Sequence, residues 1–79
     1  MSELEKEILN AFVDTGRAKS DWRFEIQSIE ILPYSDWATI VGVLTKKKHR
    51  KPCMCWELAC YIPKNQICWD KSVFVRLAE

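Results

Sequence analysis

Hydrophobic positions recur along the chain in two periods. Leu4, Ile8, Ala11 and Phe12, flanked by Leu9 and Val13, fall on one stripe at the 3.6-residue helical repeat. Ser2 and Glu5 stand three apart just ahead of that stripe. This is the spacing of a capping box, in which the hydroxyl accepts from one backbone N–H and the carboxylate from another. Glu3, Glu5 and Glu7 lie at the positive end of the helix dipole, and Gly16 stands where a left-handed residue would end the helix. The pattern predicts an N-terminal helix of about three to four turns. Such a helix is marginal alone in water, so its stripe must be covered by the downstream strands.

After the polar connection 17–21 the period changes to two. Trp22, Phe24 and Ile26 alternate with polar residues, but Ile29 and Ile31 fall on the other parity, which predicts a bulge or break near Gln27 and Ser28 that lets both halves bury their apolar side. Pro33-Tyr34-Ser35-Asp36 reads as a turn. Trp37 to Thr45 and Met54 to Ile62 are rich in β-branched and aromatic residues and flank the run Lys46 to Pro52, so they predict a hairpin. Pro63 to Gln66 is a second turn. Ile67, Trp69, Val73, Val75 and Leu77 then share a parity, broken at Lys71, in a long last strand expected to be irregular at Asp70-Lys71.

The expected fold is α+β: one N-terminal helix packed on a four-stranded antiparallel meander, with residues 1–79 forming a single domain. In the order of its elements it resembles a shortened cystatin-like or nuclear-transport-factor-like layout, a likeness of topology that carries no site. The architectural alternative is a small SH3-like or OB-like barrel, closed if the bulge near Gln27 curls the sheet.

Alternation sorts the side chains of this sheet. Ala38, Ile40, Gly42 and Leu44, then Met54, Trp56, Leu58, Cys60 and Ile62, and the odd set of the last strand, are assigned to the helix side. Gly42 in mid-strand is expected to admit the helix or a large ring such as Trp56. The opposite face then carries Trp37, Val41, Val43, Ala59, Tyr61 and Phe74, interrupted by Thr39, Thr45, Glu57 and Arg76. That face is too apolar for a solvated sheet and predicts an interface, to a partner protein or a second copy, unless the first strand or C-terminal tail covers it.

Charge refines the picture. The net charge is +1, yet five of the twelve Lys and Arg residues (Lys46, Lys47, Lys48, Arg50 and Lys51) lie in one loop, leaving seven against the eleven acidic residues elsewhere. A weakly acidic body with one basic tip fits an acidic protein surface or a nucleic-acid backbone at that tip, or a merely solvated loop. Trp37 and Tyr61 could stack bases, although no aromatic pattern of an RNA-binding sheet is visible. Composition is that of a globular chain, 48% hydrophobic and 29% charged. The acidic N-terminus lacks the apolar core of a secretory signal, and no apolar run is long enough to span a bilayer, so a cytoplasmic protein with no membrane contact and reduced thiols is expected.

Chemistry is sparse. His49, Cys53, Cys55, Cys60 and Cys68 cluster in sequence, but not at zinc-knuckle spacing, and alternation sends Cys60 to the face opposite Cys53 and Cys55. The single histidine sits in the basic loop, and no serine or cysteine has an identifiable base. Neither a metal, a cofactor nor a catalytic residue is therefore expected. The reading is a non-enzymatic interaction module, of a size shared by accessory subunits and small viral or mobile-element inhibitors. Its anchors are Trp37, Val41, Val43, Tyr61 and Phe74, while the Lys46 to Lys51 loop steers or engages an acidic patch. Nucleic-acid binding through that loop and the exposed aromatics is the competing class.

Overall fold

The computed structural model describes residues 1–46 and 54–77. The capping box forms: Ser2 N–H donates to Glu5 Oε1 at 2.8 Å, and Glu5 N–H donates to Ser2 Oγ at 3.2 Å. Helix α1 spans Glu3–Asp14. It closes in a Schellman turn, with Arg17 N–H donating to the Phe12 carbonyl and Gly16 N–H to that of Val13. Gly16 takes the left-handed conformation (φ 75°) that this turn requires.

Four strands follow, β1 (Arg23–Ile31), β2 (Trp37–Thr45), β3 (Met54–Tyr61) and β4 (Cys68–Leu77), with a short 3-10 turn at Pro63–Asn65. They pair antiparallel in chain order, β1-β2-β3-β4, so the expected meander is the observed one. β1 and β4 do not pair with each other, and the sheet is open rather than a closed barrel. Among the described residues no helix is long and apolar enough to cross a membrane.

Phe12 sits at the centre of the helix–sheet interface. Its ring lies 5.4 Å from that of Phe24 on β1, 5.2 Å from Trp56 on β3 and 4.9 Å from Phe74 on β4, the last two edge-on. Ile8, Leu9, Ile40, Leu44, Leu58 and Cys60 complete the buried cluster. The helix begins at the β1 edge, where the second oxygen of Glu5 accepts from Ile26 N–H at 2.8 Å and Met1 Sδ from Phe24 N–H at 3.3 Å. It ends over β4, where Asp14 and Thr15 border a cleft with Asp70 and Phe74.

Three sequence expectations are corrected here. The bulge lies where the phase slips, between Ile26 and Ser28, and it returns Ile29 and Ile31 to the helix side, opposite Ile40 and Ala38. They are nevertheless 49% and 75% exposed. A twelve-residue helix is about 18 Å long, against about 30 Å for a nine-residue strand, and it does not reach them. The last strand changes phase as well. Between the pairs Ala59–Val73 and Tyr61–Cys68, β3 has one residue and β4 four, so three extra residues reverse the alternation. Phe74, assigned by parity to the helix-free face, therefore pairs with Leu58 and packs under α1, while Val73 and Val75 take the outer face. Ser72 stitches this irregularity, its Oγ accepting from Tyr61 N–H and donating to the Cys68 carbonyl. Finally, the ring that crosses Gly42 is Phe24 rather than Trp56.

A Cβ at Gly42 would lie 2.3 Å from Phe24 Cζ and 2.6 Å from the Glu25 carbonyl oxygen, and Phe24 is wholly buried. Gly42→Ala is therefore expected to cost on the order of 1–3 kcal/mol, read as a lower urea midpoint at unchanged slope. The Glu5 carboxyl is held below its ordinary value of 4.5 because its ionised form accepts from Ser2 and Ile26 N–H. A lowered folded-state pKa gives stability that is present above 4.5 and lost as pH falls through the lower value. The stability advantage of the natural protein over Glu5→Gln is thus expected to be full at neutral pH and to shrink in acid, measured by denaturant titrations across that window.

Candidate functional site

The antiparallel register lays out the helix-free face as rows across the strands, because directly paired residues share a face. One row joins Trp37, Tyr61 and Cys68. The next joins Glu30, Thr39, Ala59 and Val73, then Ser28, Val41, Glu57 and Val75, then Glu25, Val43, Cys55 and Leu77. Apolar side chains fill most of the β2 to β4 part of these rows, interrupted by Thr39 and by Glu57 between Val41 and Val75, and Glu25 and Glu30 lie along β1.

The Trp37 and Tyr61 rings meet at 5.2 Å with a tilt of 44°, and both are half-buried. Lys71 Nζ lies 5.3 Å over the Tyr61 ring, a contact that draws a cation into the aromatic end of the face. Val41 and Ala59 are half-buried between them and the open side, where Val73 is 52% exposed and Val75 49%. The apolar strip is thus displaced towards β4 relative to the sequence reading.

Of the anchors read from the sequence, Trp37, Val41 and Tyr61 stand together on this face. Val43 points the same way but is only 7% exposed, flanked by Glu25 and Cys55, so it forms floor rather than contact surface. Phe74 lies on the other side of the sheet, as does Arg76, which pairs with Trp56. Lys46 is exposed, its Nζ 5.5 Å over the Trp22 ring, which ties the root of the basic run to the start of β1. Lys47, Lys48, His49, Arg50, Lys51 and Cys53 lie outside the described residues.

Two features escaped the sequence reading. Ile29, Ile31, Leu32 and Tyr34 form an exposed apolar overhang at the β1–β2 turn, with Tyr34 at φ 61° and fully exposed. Comparing helix length with strand length would have found it. A cleft of about 340 Å³ lies between α1 and β4, with Glu7, Asp14 and Asp70 on its rim and Trp69 and Phe74 in its wall. Glu7 accepts from Trp69 Nε1–H at 3.3 Å, and the Arg17 guanidinium lies 4.9 Å over the Phe74 ring. The phase change in β4 builds this cleft, and only the Lys71 gap in the odd set hinted at it.

Among the described residues no group of three or more His, Cys, Asp or Glu is placed to hold a metal ion. Cys55 and Cys60 do lie on opposite faces, with Cys60 inside the core. Burial pushes the Cys60 thiol up to about 11, so it stays protonated and unreactive at neutral pH. With a thiol-alkylating reagent at mildly alkaline pH, half-buried Cys55 and Cys68 are expected to be modified in the native protein and Cys60 only after unfolding, as read by peptide mass spectrometry. No protein-family model, curated protein or solved structure matches the chain, so the reading of this surface rests on its own geometry.

Proposed function

We propose that the chain is a small non-enzymatic protein-interaction module, an accessory subunit or inhibitor-type binding protein of the cytoplasm, that docks through the helix-free face of its sheet. The observation that carries this reading is the strip formed by Trp37, Val41, Ala59, Tyr61, Val73 and Val75 on a face that α1 does not cover. Two exposed valines beside a paired Trp and Tyr give an apolar centre with rigid aromatic anchors, the composition that concentrates binding energy in protein interfaces. Glu30 and Lys71 border it as a polar rim, and Glu57, half-buried between Val41 and Val75, lies within it. The run Lys46 to Lys51 supplies the charge that would steer an acidic partner to it.

Capture from the native cell tests the reading with three baits: the natural chain, Val73→Glu/Val75→Glu on the proposed face, and Ile31→Glu on the overhang. The face variant is expected to lose the partner by about tenfold or more while the overhang variant keeps it. Retention of one partner equally by all three baits overturns the assignment of the face.

Nucleic-acid binding is the second reading, supported by the Lys71 ammonium over Tyr61 beside Trp37, a pairing of cation and stacking rings suited to single strands. It requires anisotropy changes with oligonucleotides that fall steeply with salt.

A further inference from the structure

The cleft between α1 and β4 combines negative charge with aromatic surface. Glu7, Ala11 and Asp14 fall on one helical stripe, so the two carboxylates stand about 10.5 Å apart along the axis with the small Ala11 between them. Asp70 stands on the β4 side. Trp69 and Phe74 form the wall, their rings 6.1 Å apart and tilted by 40°. The volume of about 340 Å³ falls within the range of pockets that take small organic ligands.

Three observations point to a cation as the occupant. Glu7, Asp14 and Asp70 are exposed and have no ion-pair partner among the described residues. Asp14 adds to the negative end of the helix dipole, and the last turn of α1 contains no basic residue to offset it. The wall accepts positive charge as well, since the Arg17 guanidinium lies 4.9 Å over the Phe74 ring. The negative charge is strung along the cleft rather than gathered at a point, and among the described residues no three such groups are placed to hold one metal ion. A compact ion therefore meets these carboxylates singly. A chain of ammonium groups separated by methylenes meets several at once and lays its apolar stem on the rings.

We propose that the cleft binds a linear aliphatic polyamine, its ammonium groups at Glu7, Asp14 and Asp70 and its methylenes against Trp69 and Phe74. A lysine or arginine side chain of a partner protein would enter end-on with one charge and leave the other carboxylates unmatched. Arg17 competes for the Phe74 ring and weakens the binding. The site lies on the helix side of the sheet and is independent of the docking proposed for the open face.

Titration of the isotope-labelled chain with spermidine tests this by NMR at the Trp69 indole N–H, assigned from its loss in Trp69→Phe. That resonance and the Asp14 and Asp70 amides are expected to shift and saturate, at lower concentration than with putrescine, which carries one ammonium fewer. Magnesium chloride at equal ionic strength should not reproduce the shift. Asp14→Asn and Asp70→Asn, each at an exposed position, should separately weaken spermidine binding by about threefold, and Arg17→Gln should tighten it by about twofold. Glu30→Gln, which removes an exposed carboxylate on the open face, should leave it unchanged. A shift that never saturates, that magnesium matches, or that Glu30→Gln weakens as much as the cleft variants do overturns the proposal. So does an oligoarginine peptide that moves the same resonances at lower concentration, which would assign the cleft to a protein ligand. The cleft variants leave the open face intact, so loss of spermidine binding and loss of the captured partner are separate results.

Discussion

The Phe12 ring is the contact on which the rest of the structure depends. It is the one side chain of α1 shown to meet rings from three of the four strands, and it fixes where a short helix crosses a wider sheet. Twelve residues hold no stable helix alone in water, and a chain of 79 residues has little core to spare. Burying Phe12 against Phe24 and Phe74 therefore does two jobs. It supplies much of the apolar area withdrawn from water, and it sets which stretches of the sheet the helix leaves open. The indole N–H of Trp56, buried without an acceptor among the described residues, is part of the cost of this packing, on the order of 1–3 kcal/mol.

The local features were largely legible in the sequence. The capping box at Ser2 and Glu5, the left-handed Gly16, the four strands and the slip near Gln27 each have a mechanism that acts over a few residues. What could not be read is set at longer range. The carboxylate of Glu5 also reaches the β1 edge, a contact between residues 21 apart that no local pattern encodes. The ring that needs the space at Gly42 depends on the β1–β2 register, which pairs Ile26 with Gly42 and brings Phe24 alongside. The fate of Ile29 and Ile31 depends on where the helix ends, and the burial of Val43 on its neighbours across the sheet.

Phe74 is the instructive case. Parity puts it on the open face only if the phase of the last strand is the same on both sides of its irregularity, whereas Asp70, Lys71 and Ser72 are an odd number of extra residues and so exchange the two faces beyond them. One irregularity thus removes an aromatic ring from the open face, adds it to the core, exposes two valines in its place and opens the acidic cleft beside α1. The face that results is less aromatic than the sequence implied and lies closer to the β4 edge. Its remaining aromatic pair, Trp37 with Tyr61, is held by the β2–β3 pairing and by Lys71.

That pairing of β2 with β3 runs from Trp37–Tyr61 to Leu44–Met54 without a shift, whereas both outer strands carry an irregularity. The central hairpin joins neighbours in sequence and holds Ala38, Ile40, Leu44, Leu58 and Cys60, so it combines low contact order with the densest burial. It is the natural nucleus for folding, a template onto which β1 and β4 dock from either side. The outer strands then become the first parts of the sheet to detach in native fluctuations. The molecule would breathe at its margins while its middle stays shut.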